Sequence, residues 1–556
     1  MKRHLPLAQP SARWWPLALA LVLAGAQAVL LVATARDKSD TVDEDIYLPA
    51  AAILWAHRDF GVNPDSPVLP KWAFALALRA VEPALGQTPP EMARAENYVL
   101  WYQGRARVER VLFAARLTTI VVTVLGGLLL WRVALRFGTV PGLVAHALWC
   151  FSPAVLAAGS LATLDAWVTS FVVALLWATA RYLEAPRATR ALVVGVCAGL
   201  ATACKITALG AVGVAILACA WRARRTALET GRLWMRPVLA VIALAAAAGV
   251  LTLWSLYGFT VGPAAPLPVA PFPAWITGAL QQLSHGARGH RGYLFGETGL
   301  GGWWYFYPVA LALKTTLGAQ ALAAMLVIAW LLRRPRGTDL LLDAALWAYP
   351  VLLLVVMSLG RTQLGLRYIL PAYPFAMLWA GRTFPSLRAL GGRWGVMAGA
   401  LALAAGTAGA LRVHPHYLMF FNSWIGGPER GPQYLVIGDS IGQDQRRLAD
   451  WQAEQGLSSI YYTRYSGRPE YWGIAYSAPP CQPQSGVYAL EAIEVHRPRR
   501  IEAGCLDWLT VEPPDERIGY SIYIYRVDRE RAQRLRENTE RVPFWKKKNS
   551  VDAVSR

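Results

Sequence analysis

The sequence predicts a polytopic α-helical membrane protein with a C-terminal extracytoplasmic α/β domain. Three observations carry that class. Hydrophobic residues make up 55% of the 556 and charged residues 16%, against about 45–50% and about 25% in soluble globular chains. Long apolar runs recur along the first three quarters of the chain. The basic residues between them gather in alternate short loops.

A spanning helix needs roughly 20 apolar residues. Candidate spans fall at 15–34, 113–131, 140–158, 163–181, 190–204, 206–221, 237–257, 303–332, 339–358, 366–382 and 393–411, which is about eleven by that criterion. The stretch 190–221 exceeds one helix and is divided near Lys205. The first run is longer than a signal-peptide core and is read as a retained helix.

Lysine and arginine in short loops set orientation. With the N-terminal Lys2, Arg3 and Arg13 inside, the loops holding Arg132 and Arg136, Arg181 to Arg190, Arg222 to Arg236, Arg333 to Arg336 and Arg382 to Arg393 also fall inside. These rims account for much of the +20 formal charge, so no nucleic-acid partner is implied. Regions 35–112, 258–302 and everything after 411 then lie outside. A transmembrane domain, 1–411, precedes an outer domain, 412–556, with strand-like runs "QYLVIGDS", "SIYYTRY", "SGVYALEAIEV" and "IGYSIYIYRV" and one helical run, "QDQRRLADWQAEQ", after the first of them. The final stretch from Glu540 reads as a loose tail. Cys150, Cys197, Cys204 and Cys219 fall in spans and read as packing residues. Cys481 and Cys505 fall in the outer domain, where an oxidising compartment permits a disulfide.

Ionisable groups at membrane depth are costly and point to function. Asp165 in "GSLATLDAWVTSF", Lys205 in "GLATACKITALG", Lys314 in "WWYFYPVALALKTTLG" and Arg367 in "GLRYILPAYPF" are such groups. Asp43 and Glu44 follow the first span, Asp45 reads as their solvated neighbour, and Lys71 lies in the first outer loop. Topology brings nearly all of them to the outer membrane face, which suits an anionic, lipid-embedded substrate. Singly, each is equally an interfacial ion pair or a snorkelling side chain. Arg116 and Arg361 lie outside yet close to apolar runs. The aromatic "GGWWYFYP" is either an interfacial belt or a lining for a substrate.

The stretches "VDEDIYLPAAAILWAHRDFGVNPDSPVLPKW", "SPAVLAAGSLATLDA", "GLATACKITAL", "YLFGETGLGGWWYFYPVALALKTTLG", "LGLRYILPAYPF", "YLMFFNSWIGGPERGPQYLVIGDSIGQDQRRLADW" and "RIGYSIYIYRV" resemble, in order, the motifs of glycosyltransferase family 39-like proteins. That family includes protein O-mannosyltransferases and the lipid A aminoarabinose transferase. Two departures stand out. Ser66 and Val68 replace a His and a Pro usual in the first loop, and "DSIGQD" lacks an "NxDW" element. The second departure suggests a C-terminal domain whose contact with the site has drifted.

The resemblance implies the GT-C architecture. It implies transfer of a sugar from a polyprenyl-phosphate donor to an acceptor hydroxyl on the extracytoplasmic face, with inversion. The acceptor is a protein, a lipid or a glycan. Asp43, aided or replaced by Glu44, would be the base. Asp165 would orient substrate or help hold a cation. Lys71, Lys205, Arg367 and Lys314 would bind the donor phosphate. No histidine spacing asks for a metal, since His57, His285 and His290 each read as structural; a divalent cation stays open. A transporter or flippase of lipid-linked sugars is the alternative, and a scaffold with an outer sensory domain is another. The former should show internal repeats and helices broken at mid-membrane. The short basic loops fit a bacterial inner membrane.

Overall fold

The computed structural model describes residues 14–83, 104–332, 340–498, 502 and 504–537. The N-terminal basic residues, the loop holding Arg333 to Arg336, part of the first outer loop and the tail from Glu540 lie outside the described residues.

The membrane part is a helix bundle: α1 (Trp15–Asp37), α2 (Glu44–His57), α3 (Val68–Val81), α4 (Arg105–Ala134), α5 (Thr139–Cys150), α6 (Pro153–Gly159), α7 (Leu164–Glu184), α8 (Ala188–Thr202), α9 (Ala208–Glu229) and α10 (Met235–Leu256). A hairpin of β1 (Val261–Ala264) and β2 (Leu267–Pro271) leads to α11 (Pro273–Arg288). A second hairpin follows, β3 (Gly292–Leu294) and β4 (Glu297–Gly299). The bundle then closes with α12 (Phe306–Lys314), α13 (Leu317–Leu332), α14 (Leu340–Leu359), α15 (Tyr373–Thr383) and α16 (Ser386–Leu411).

Each expected span falls on a helix or a broken helix, but the number able to cross alone is smaller than about eleven. Among the described residues, 5 helices are long and apolar enough, or up to 7 with two bent pairs counted as single spans. The pairs are α5 with α6, bent by 59°, and α12 with α13, bent by 113°. A break in an apolar medium frees backbone carbonyls that need new donors. At the sharper bend the Asn422 amide donates to Ala312 O at 2.6 Å and Thr315 O at 3.2 Å. The Gln320 amide donates to the same two carbonyls. Lys314 is the last residue before this bend, so the break turns a mid-span lysine into the end of a helix.

Small residues set how closely the helices pack. A Cβ at Gly195 would sit 2.3 Å from Ala245 O, and one at Gly199 would sit 2.6 Å from Gly249 O. These glycines bring α8 and α10 backbone to backbone.

The last part carries α17 (Gln445–Glu454) and strands β5 (Ile460–Thr463), β6 (Tyr476–Ser477), β7 (Gly486–Glu491), β8 (Glu516–Ile518) and β9 (Ile522–Val527), followed by α18 (Arg529–Glu537). The strands form one sheet in the order β6-β5-β7-β9-β8. The β5 pairings are parallel and the β9 pairings antiparallel. Cys481 and Cys505 form a disulfide.

This lobe docks on the segment between α1 and α2. Ser39 N donates to Gln443 O at 3.0 Å and Val42 N to Ile441 O at 3.2 Å. Ser39 Oγ donates to Gly442 O at 2.7 Å. The "DSIGQD" stretch thus hydrogen-bonds the segment between α1 and α2 without an "NxDW" element.

Candidate active site

Asp43 precedes the first turn of α2, and Asp165 is the second residue of α7. Helix N-termini favour acids, because the free N–H groups and the macrodipole present positive charge there. Each acid is ion-paired to a base from a distant segment. Asp43 Oδ2 accepts from Arg367 Nη1, and Asp165 Oδ1 accepts from Lys205 Nζ at 2.6 Å. Tyr368 joins the two pairs. Its ring has Lys205 Nζ at 4.3 Å and the Arg367 guanidinium carbon at 5.7 Å from its centroid.

Lys314 makes a third pair. Its ammonium lies 2.5 Å from Asp439 Oδ1 and donates to Leu418 O at 2.9 Å. It also lies 4.4 Å from the centre of the Phe421 ring. Lys314 lines an apolar cavity of about 420 Å³ bordered by Phe151, Leu311, Trp347, Ile369 and Tyr373. The Tyr373 hydroxyl is buried and has no hydrogen-bond partner among the described residues. The same is true of Tyr307 Oη, Arg367 Nε and Asp439 Oδ2.

Glu44 is placed differently from its neighbour. It is fully buried and accepts Arg116 Nε and Nη2, both at 2.7 Å. Thr41 N, Thr41 Oγ1 and Ala162 N also donate to it, at 3.1, 2.9 and 2.8 Å. Both oxygens are therefore engaged. This geometry sets Glu44 apart from a base that accepts a substrate proton. It ties the segment bearing Asp43 to the loop that leads into Asp165.

Asp45 is half-buried rather than a freely solvated neighbour. It shares a hydrogen bond with Asp40, whose Oδ1 also accepts the Trp472 indole N–H at 2.7 Å. Burial first, and then the Asp40 carboxylate, push the Asp45 carboxyl well above the usual range.

Lys71 is set on backbone carbonyls rather than on a carboxylate. It donates to Asn63 O at 2.6 Å and Val62 O at 3.1 Å. Burial lowers its ammonium to about 7, against the opposing pull of the Asp65 carboxylate. The unfolded chain holds this proton up to the ordinary value of 10.5. It therefore binds more protons than the fold between those two values, and stability rises with pH through that window. The Lys71→Met variant should lose this rise, so thermal unfolding of the two proteins should differ most below about pH 7 and converge toward pH 10. Parallel melting curves across that range would refute the placement.

Tyr47, Tyr368, Asp439 and Lys38 were not singled out in the sequence. Tyr47 contacts Ser66, and burial followed by the Asp43 charge pushes its hydroxyl well above the usual range.

Among the described residues, one acid–histidine group has ligand atoms close enough for a metal: Asp37, His416 and Asp444, within 4.8 Å of one another. Lys38 Nζ lies 3.1, 2.8 and 2.7 Å from them. The cation of this cluster is thus the chain's own ammonium. Burial and then Lys38 depress the His416 imidazole to about 4. A divalent ion at Asp43 or Asp165 would likewise have to displace Arg367 or Lys205.

Residues 105–254 match the family described as dolichyl-phosphate-mannose-protein mannosyltransferase. No curated protein matches the chain. A crystal structure of ArnT from Cupriavidus metallidurans bound to undecaprenyl phosphate is similar at 14% identity and a TM-score of 0.46, over 92% of this chain and 98% of that one. An Archaeoglobus fulgidus oligosaccharyltransferase is similar at 12% identity and 0.45, over 84% and 60%. The S. cerevisiae Pmt1–Pmt2 complex bound to the sugar donor is similar at 16% identity and 0.35, over 44% and 34%. Over the segment that runs from α4 to α10, the chain is similar to the dolichyl-phosphate-mannose-protein mannosyltransferases.

Proposed function

We propose that the protein is a membrane glycosyltransferase that moves a sugar from a polyprenyl-phosphate donor to an acceptor hydroxyl on the extracytoplasmic face, with inversion. One observation carries the reading: the Asp43–Arg367 and Asp165–Lys205 pairs meet around Tyr368. The cavity beside Lys314 suits a prenyl chain whose phosphate ends at that ammonium. The family match over residues 105–254 agrees with this.

In this reading Asp43 takes the acceptor hydroxyl proton as the oxygen attacks the anomeric carbon. The bond from that carbon to the donor phosphate oxygen breaks, and the phosphate leaves with the electron pair. Lys205, Arg367 and Lys314 offset the charge that develops on it, in a site where little water competes. Asp165 holds Lys205 in place. Glu44 is a positioning residue, and Lys71 shapes the 62–65 loop at the edge of the site. The membrane is a bacterial inner membrane, with the N-terminus inside and the lobe after 411 outside.

The test is transfer of labelled sugar from polyprenyl-phosphate donors to an envelope extract by the purified protein. Lys205→Gln should lower kcat by about 10²–10³-fold as well as raise the KM for donor, because it removes a charge that offsets the leaving phosphate and leaves the base. Transfer unaffected by both Lys205→Gln and Arg367→Gln would contradict the assignment.

A further inference from the structure

Lys205, Arg367 and Lys314 are each matched by one carboxylate, from Asp165, Asp43 and Asp439. A phosphate entering this neutral set adds uncompensated charge in a water-poor place, unless one carboxylate leaves.

The three carboxylates are not equally held. Asp43 and Asp165 sit at helix N-termini. Asp439 lies in an irregular segment, and its Oδ2 is buried without a hydrogen-bond partner among the described residues. Asp439 is also the acid on Lys314, which lines the apolar cavity, and it lies within electrostatic range of Arg367. Two glycines bring it there. Gly365 and Gly438 have φ of +81° and +82°, and a Cβ on Gly438 would sit 2.5 Å from Leu364 O. Only such residues let the segment carrying Arg367 cross the segment carrying Asp439 this closely.

We propose that Asp439 is the resident anion of the phosphate seat, which a polyprenyl phosphate must displace from Lys314, and that the displacement is passed to the segment bearing Asp43. This rests on the phosphate-binding reading above. The route is short. Two and four residues beyond Asp439, the carbonyls of Ile441 and Gln443 accept the N–H groups of Val42 and Ser39. Ser440 Oγ donates to Glu491 Oε2 at 3.1 Å, which anchors the segment to β7. A headgroup that releases Asp439 therefore loosens the C-terminal lobe from the loop before the base, and the lobe registers whether donor is loaded.

The experiment measures binding of a polyprenyl monophosphate to the full-length protein, its Asp439→Asn variant and its Lys314→Gln variant. It also follows amide exchange at Ser39 and Val42 in the wild type with and without the lipid. Asp439→Asn should tighten binding by about tenfold, Lys314→Gln should weaken it, and the lipid should speed exchange at both amides. If the wild type binds no lipid, or Lys314→Gln binds like the wild type, the phosphate reading fails and this inference with it. If Lys314→Gln weakens binding while Asp439→Asn leaves it unchanged or weaker, only the inference falls. Should Asp439→Asn fail to fold, exchange in the wild type decides, and unchanged rates at Ser39 and Val42 overturn the coupling.

Discussion

Replacing Asp43 by Asn should lower sugar transfer by about 10²–10⁴-fold, the usual contribution of a positioned general base, with the fold retained. The amide keeps the shape of the carboxylate and can still accept from Arg367, so the α2 terminus should stay in place. What it loses is the capacity to hold a proton. The measurement is single-turnover transfer with saturating donor, beside a melting curve. Near-normal transfer by a folded Asp43→Asn protein would remove Asp43 from the mechanism. Loss of transfer together with the fold would show that the Arg367 pair is structural.

The second large effect is on stability. Glu44→Gln should destabilise the protein by about 3–5 kcal/mol, because it leaves the buried Arg116 guanidinium without a compensating charge. Arg116 is 1% exposed and Glu44 0%, so little water can reach the guanidinium. The readout is modification of the buried Cys150, Cys197, Cys204 and Cys219 thiols as denaturant rises. A double replacement, Glu44→Leu with Arg116→Leu, should cost less than the sum of the two single leucine changes, since it removes both charges together. A loss below about 1 kcal/mol for Glu44→Gln, a value ordinary for exposed pairs, would mean that the pair is reached by solvent. Transfer should also fall in Glu44→Gln, because the amide cannot accept all the bonds that join the Asp43 segment to Ala162.

These two neighbours show how much of the site could be read in advance. "DED" after an apolar run singles out this lip as a candidate site, and Arg116 was notable for its closeness to such a run. Sequence cannot tell which of two adjacent acids is locked away, because burial depends on where α4 and the Ala162 loop pass. Lys205 and Arg367 were legible as charges at breaks in apolar segments, and Asp165 as the acid opening a helix. Asp439 was not, since its meaning comes from a crossing of segments more than 70 residues apart. The breaks within the apolar runs were hidden for a related reason. Apolar length is visible in composition, but the bend after Lys314 depends on Asn422 and Gln320 supplying donors to freed carbonyls, which hydropathy does not register. In the lobe, "SIYYTRY", "SGVYALEAIEV" and "IGYSIYIYRV" hold β5, β7 and β9, and the polar run holds the helix at 445–454, whereas "QYLVIGDS" forms no strand: it turns at Gly438 to pass Leu364 and set Asp439 on Lys314.

The ammonium of Lys38, held among Asp37, His416 and Asp444, has a consequence for the surroundings the protein tolerates. A junction between two parts of a protein that relies on a captured metal is only as firm as the local supply of that metal. Here the positive charge is part of the polypeptide. It cannot be diluted, chelated or exchanged for another ion, and its occupancy does not vary with the mineral content of the compartment. The joint between the first outer loop and the C-terminal lobe therefore draws this positive charge from the chain itself and not from a metal in the medium.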